Sequence, residues 1–149
     1  MTDNTPNKSL EKLYTEISSI ITEARNNIYK SVNSEMVKAY WNIGQRIVEE
    51  EQNGEDKAKY GKAVLKEMSK RLCSKFGRGF TATNLKYMRQ FYAVFPIGHA
   101  LSDQLSWTHY RLLLKVNDDK ARDFYIEETI TCNWSTRTLD SVQKKANDF

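Results

Sequence analysis

The sequence predicts an all-α fold, a compact bundle of about six to seven helices. Only six Gly and two Pro occur in 149 residues, which leaves little material for the tight turns of an all-β fold. Apolar residues recur at three- and four-residue spacing, and Ser, Thr or Asp precedes several of these stretches as a helix N-cap would. A chain of this length suits one domain, so we predict a disordered leader over residues 1–9 and a single helical domain over residues 10–149.

Two amphipathic helices are predicted in the first third of the chain. Ser9 would cap the first, whose apolar stripe consists of Leu10, Leu13, Ile17, Ile20, Ile21, Ala24 and Ile28. The second would begin at about Asn33 and end before Asn53-Gly54, with one apolar face formed by Met36, Ala39, Tyr40, Ile43, Ile47 and Val48. Each stripe is expected to pack on another element.

The next two predicted helices are separated by a short turn. The third helix would direct Tyr60, Ala63, Val64, Met68, Leu72 and Phe76 inward. It would break at Gly77-Arg78-Gly79, because two glycines in three residues favour a turn. The fourth would begin after Thr81 as N-cap and end before Pro96.

Three shorter helices are predicted after a loop over residues 97–105. Their N-caps would be Ser106, Asp118 and Ser135. Trp134 and Leu139 have the spacing of a hydrophobic staple around the last cap.

The charge distribution is uneven along the chain. From Lys57 to Gln90 there are seven Lys and three Arg against one acid, Glu67, a net charge of +9. Since the whole chain carries +4, the remainder carries −5. About a quarter of the chain is therefore suited to bind an anion.

The fourth helix separates into an apolar and a polar side on a 100° wheel. Leu85, Met88, Phe91, Tyr92 and Phe95 fall on the apolar side. The other side and its flanks carry Thr83, Asn84, Lys86, Tyr87, Arg89 and Gln90. These side chains can bond phosphate oxygens or base edges, and the helix N-terminus adds backbone amides.

Helices three and four together predict a helix-turn-helix-like DNA-binding unit. Backbone contacts are expected from Lys62, Lys66, Lys70, Arg71, Arg78, Thr83 and Tyr87. Base discrimination is expected from Asn84, Lys86, Arg89 and Gln90. The turn departs from common spacing, because Arg78 follows Gly77 and the apolar residue is Phe80. The alternative is a solvated basic face, although such faces normally mix signs to form i,i+4 pairs.

Several stretches resemble the N-terminal domain of YhcG-type proteins, bacterial proteins assigned to the PD-(D/E)XK nuclease superfamily. They are residues 32–44, Asn84-Leu85-Lys86-Tyr87-Met88-Arg89-Gln90-Phe91-Tyr92, Leu105-Ser106-Trp107-Thr108-His109-Tyr110 and Asn133-Trp134-Ser135. The resemblance extends from about Leu10 to Lys145. It implies a helical domain that binds DNA or serves interactions and that is followed by a separate nuclease domain in full-length relatives.

No catalytic site is predicted in this chain. Glu55-Asp56-Lys57 spells Glu-x-Lys, but it lies in a polar loop without strand signals, and we interpret it as coincidence. His99 and His109 do not form a metal-ligand pattern, and we expect His109 to be partly buried and hydrogen-bonded. No cofactor is predicted. Cys73 and Cys132 do not suggest a disulfide framework and are expected to be small buried residues.

Three functional hypotheses follow, all for a cytoplasmic protein without a membrane span or signal peptide. The first is a non-catalytic DNA-binding module. The second is a helical interaction module, including a homodimer, that positions a nuclease domain or a partner. The third, a free-standing enzyme, has the least support in the sequence.

Overall fold

The computed structural model describes residues 5–52, 57–98 and 101–147, and this part of the chain is all-α. A 3-10 turn, Arg78–Phe80, separates the second helix from the third. The α-helices are α1 (Thr5–Gln52), α2 (Lys57–Phe76), α3 (Ala82–Val94), α4 (Trp107–Leu113), α5 (Asp119–Thr131) and α6 (Thr136–Asn147). The predicted fold class is confirmed.

The first two predicted helices form one continuous helix, α1, of 48 residues. At 1.5 Å per residue it is about 72 Å long. The predicted break near Asn33 is wrong because neither Gly nor Pro lies there to stop the helix. The predicted leader is helical from Thr5, and Ser9 lies inside the helix instead of capping it. The single domain over residues 10–149 stays a prediction.

The two halves of α1 differ in burial. In the first half the large apolar side chains are exposed, from Ile17 at 46% to Tyr14 at 70%. In the second half Val37 and Ile47 are 2% and 8% exposed. The expectation that the first apolar stripe packs on another element is therefore not met within the described chain.

α1 and α3 cross in close contact at Gly44. A Cβ atom on Gly44 would lie 2.0 Å from the carbonyl oxygen of Met88, so only glycine permits this approach. Nearby, the Trp41 Nε1 donates a hydrogen bond of 2.6 Å to the carbonyl oxygen of Phe95. The second half of α1 is thus fixed against both the middle and the end of α3.

The core consists of two clusters that share α3. One contains Phe91, Tyr110 and Leu139, and the other contains Leu85 and Met88 with Ile47 and Leu65 of the preceding helices. The Tyr110 hydroxyl accepts a hydrogen bond of 2.9 Å from the Ser102 backbone, and burial raises the pKa of Tyr110.

α2 buries less than its pattern predicts. Val64, Met68 and Leu72 are half-buried, whereas Ala63 and Phe76, both expected to point inward, are exposed. The side chain of Tyr60, expected inward as well, lies outside the described residues. Leu65, absent from the expected set, is 2% exposed and is the buried contact of this helix. Ala63 is exposed because this side of α2 borders an open groove toward α1.

Apart from Ser9, the predicted caps are confirmed. Thr81 accepts from the Asn84 backbone at 3.3 Å, and Asp118 accepts from Lys120 at 3.3 Å. The Ser135 hydroxyl accepts from the Thr138 backbone at 3.1 Å. Ser106 forms a capping box with His109 at the start of α4. Across residues 5–52, 57–98 and 101–147, no helix combines the length and apolarity that a membrane crossing requires.

Candidate nucleic-acid interface

A row of three exposed lysines runs along one flank of α2. Lys62, Lys66 and Lys70 are spaced four residues apart, which places them above one another on the helix. Glu67 is the one acid of α2, and no ion pair within the described residues involves any of the three ammonium groups. We call these residues the lysine row. Their charge is available to an external anion.

Two further predicted cations lie apart from this row. Arg71 is exposed on the other flank of α2, and Arg78 is exposed in the 3-10 turn. Gly77 precedes this turn with φ of 97°, a conformation that glycine adopts readily. The turn therefore brings Arg78 to the surface between α2 and α3.

The start of α3 presents part of the predicted polar face. Thr83 and Lys86 are exposed. Asn84 is half-buried, and its Nδ2 donates a hydrogen bond of 3.2 Å to the carbonyl oxygen of Gly79. The Asn84 amide thus closes the turn that precedes its own helix.

Farther along α3, two predicted base-reading side chains have partners within the chain. The Arg89 guanidinium lies 2.8 Å from the Glu51 carboxylate, with 34% and 20% of the two side chains exposed. The Gln90 Nε2 donates a hydrogen bond of 3.2 Å to the carbonyl oxygen of Leu114. We call Asn84, Arg89 and Gln90 the paired α3 residues.

Tyr87 is also engaged within the fold. The Arg111 guanidinium lies 4.6 Å from the centre of the Tyr87 ring, and the half-buried ring packs against the larger core cluster. The polar face predicted for α3 is therefore exposed mainly at Thr83, Lys86 and Gln90.

The sequence pattern does not predict the partners Glu51, Arg111 and Leu114. Each lies on a different element from the α3 residue it contacts, as far as 38 positions away in the chain. A helical wheel treats one helix in isolation, so it separates apolar from polar residues without locating tertiary partners. An acidic residue at the end of α1 was the one available signal for the Arg89 ion pair.

His109 has hydrogen-bonding partners at both ring nitrogens. The Ser106 backbone donates to Nδ1 at 3.1 Å, so Nε2 carries the proton and donates to the Trp134 carbonyl oxygen at 2.9 Å. His99, Glu55 and Asp56 lie outside the described residues. In the ranges that the structure covers, no three His, Cys, Asp or Glu residues gather as a metal site would require.

The two cysteines are free, and their surroundings differ. Cys73 is half-buried, whereas Cys132 is exposed at the end of α5, contrary to the expected burial. The Cys132 thiol donates to the Glu128 carboxylate at 3.6 Å. Its position after the last turn of α5, outside both core clusters, explains its exposure.

The family model described as the DUF1016 N-terminal domain matches residues 16–147. The chain belongs to the DUF1016 N-terminal domain family. This match confirms the resemblance drawn from the sequence. The matched range includes the lysine row and all of α3.

A curated relative of this DUF1016 N-terminal domain is a protein of Escherichia coli (strain K12) named "Putative nuclease YhcG". The two are 35% identical over 162 aligned positions, which cover 87% of this chain and 43% of the relative. This chain therefore spans less than half the length of that protein. No solved structure matches the chain.

Proposed function

We propose that this chain is a non-catalytic DNA-binding module of a YhcG-type nuclease. The observation that carries the proposal is the lysine row, three exposed ammonium groups without ion-pair partners among the described residues. Phosphate contacts by such groups release counterions and supply affinity independent of base sequence. The nuclease name of the relative supports a nucleic-acid ligand.

In this proposal the lysine row and Lys86 contact the DNA backbone, with Arg78 and Thr83 beside the start of α3. The backbone amides at the α3 N-terminus favour a phosphate there. The paired α3 residues contribute less, because a base contact would first require breaking a hydrogen bond or ion pair within the protein. Binding is thus strongly salt-dependent and weakly sequence-dependent.

Fluorescence anisotropy with a labelled duplex tests this function. We expect binding at low salt and a loss of affinity of about 10- to 100-fold when Lys62, Lys66 and Lys70 are replaced by Ala. The matched control replaces three exposed lysines outside α2, namely Lys115, Lys120 and Lys145, and should change affinity far less. No binding by the wild-type chain at low salt would refute the proposal, as would equal losses in the two triple variants.

A second candidate function is a helical interaction module that positions a nuclease domain or a partner. The exposed first half of α1 favours it, since nine large apolar side chains between Leu10 and Val32 are exposed within the described structure. Isolated exposed apolar residues are ordinary, but a continuous stripe of this length is typical of a contact surface. A concentration-independent monomer mass in sedimentation would argue against self-association.

A further inference from the structure

An apolar groove of about 720 Å³ lies between α1 and α2. Its polar rim includes Arg46, which is ion-paired with Glu49 on the same helix. The apolar wall is formed mainly by Ile43, Ile47, Val64, Met68, Leu72 and Leu85. A groove of this composition is suited to apolar side chains of a helix.

The apolar stripe of α1 begins far from this groove and extends toward it. It runs from Leu10 to Val32, about 33 Å along the helix axis. Beyond Val32, the middle of the stripe is replaced by the polar residues Glu35, Asn42 and Arg46. Along its edge Met36, which is 39% exposed, and then Ile43 continue the apolar surface toward the groove. The stripe is thus an exposed surface that leads to the groove.

The stripe and the groove lie on the same side of α1. At 100° per residue, Ile43 and Arg46 fall on the half of the helix that carries the stripe. The opposite half carries Val37, Trp41 and Gly44, which contact the core and α3. A helix that lay along the stripe would therefore enter the groove from the side away from the α1–α3 crossing at Gly44, and Leu85 is the α3 residue that it would contact there.

The exposed area of the chain exceeds that of a compact monomer. The accessible surface is 11213 Å², whereas a folded monomer of 17.4 kDa exposes about 7,900 Å². A stable protein interface buries about 800 Å² on each partner. The excess is large enough to supply such an interface on α1.

We propose that α1 packs antiparallel against α1 of a second copy, which deepens the second candidate function and rests on it. Leu10 and Leu13 of each copy occupy the groove of the other, opposite Arg46 and Ile43. The two-fold axis then passes close to Ile28. The contact is isologous, because each chain supplies one stripe and one groove.

A second copy satisfies both surfaces at once, and this favours it over an unrelated partner. When two copies pair about a two-fold axis, both stripes are covered and both grooves are filled, so the assembly closes as a dimer. A different partner helix would have to match the stripe and the groove by itself. The antiparallel direction also sets opposite helix dipoles side by side.

Disulfide trapping tests the arrangement in a chain whose native cysteines are removed by Cys73→Ser and Cys132→Ser. We expect Ile28→Cys alone to give a covalent dimer on mild oxidation. Leu13→Cys combined with Ile43→Cys should do the same, and a link within one chain is impossible because about 30 residues of helix separate these positions by about 45 Å. Leu13→Cys alone should remain unlinked.

The outcomes distinguish failure of the antiparallel arrangement from failure of the interaction function. A dimer that links through Leu13→Cys alone, or one that does not link through Ile28→Cys, would overturn the antiparallel arrangement while leaving self-association intact. A monomer mass at all concentrations would overturn both. DNA binding by such a monomer would leave the first proposed function standing.

A second set of variants tests the stripe without altering the core. Ile17→Gln with Ile20→Gln should shift the midpoint of dimer dissociation to at least about tenfold higher concentration, since both exposed side chains would be buried in the dimer. Thr22→Gln with Asn26→Gln places the same residue type on the opposite side of α1 and should leave the midpoint unchanged. Equal midpoints for the two variants would contradict the proposal.

Discussion

The lysine row of α2 and the paired α3 residues are neighbours in the chain, yet they have different surroundings. The ammonium groups of Lys62, Lys66 and Lys70 have no ion-pair partner among the described residues. Asn84, Arg89 and Gln90 each donate to another part of the fold. An ammonium group without a partner can contact a DNA phosphate without breaking a bond within the protein. Each paired group must first break an interaction worth about 0.5–1.5 kcal/mol.

This difference separates two roles, anion binding and stabilisation of the fold, in residues that the sequence pattern assigns to one DNA-binding surface. The lysine row is suited to binding an external anion. The paired α3 residues connect α3 to the turn before it, to the end of α1 and to the segment after α4. Variants in the first group should change DNA affinity, and variants in the second should change stability.

The largest effect is expected where α3 is fixed against α1. Gly44→Ala would place Cβ 2.0 Å from the Met88 carbonyl oxygen, which forces the two helices apart. We expect a loss of about 3 kcal/mol in the free energy of unfolding. That corresponds to a fall in Tm of about 6–12 °C, measurable by thermal unfolding.

Gly79→Ala is the control for this substitution. No atom lies within 4 Å of a Cβ at Gly79, so its Tm should stay close to that of the wild type. An unchanged Tm for Gly44→Ala would show that α3 does not depend on this close approach.

Arg89→Ala should have the next largest effect, and it should act on stability. The variant leaves the partly buried Glu51 carboxylate without its ion-pair partner, at an expected cost of about 1–2 kcal/mol. Urea unfolding measures this loss, while DNA affinity should change by less than about twofold. A double-mutant cycle with Glu51→Ala isolates the coupling between the two side chains. A large loss of DNA affinity with unchanged stability would reverse our assignment of Arg89.

Lys86→Ala should produce the opposite pattern. Lys86 is exposed on α3 beside Thr83, and removing its ammonium group from a DNA phosphate should weaken duplex binding by about fivefold. Anisotropy titration measures the change, with Lys120→Ala as an equally exposed control. Equal affinity in the two single variants would remove Lys86 from the proposed interface.

Gln90→Ala should have the smallest effect. It removes one hydrogen bond to the Leu114 carbonyl oxygen, worth about 0.5–1 kcal/mol. DNA affinity should be unchanged within error in the same anisotropy titration. A clear loss of affinity would indicate that Gln90 leaves Leu114 to contact DNA.

The sequence predicted those features of the fold that depend on local chemistry. Thr81, Ser106, Asp118 and Ser135 cap helices as expected, because capping involves residues only two or three positions apart. The apolar side of α3 is confirmed by burial of Leu85, Met88 and Phe91.

Features that depend on tertiary packing were harder to predict from the sequence. The two halves of α1 have similar apolar periodicity, but one is exposed and the other is buried, and periodicity does not reveal whether a partner is present. The Arg89 and Gln90 partners come from elements distant in sequence. The predicted site therefore mixed exposed cations with polar groups that the fold already uses.

The salt dependence of DNA binding tests the central claim most directly. The slope of log K against log salt concentration becomes shallower by about 0.9 for each DNA phosphate that the protein no longer neutralises. Replacing the lysine row by Ala should therefore reduce the slope by about 2–3, whereas replacing the paired α3 residues by Ala should leave it unchanged. An unchanged slope in the lysine-row variant, or an equal reduction in both, would contradict the account.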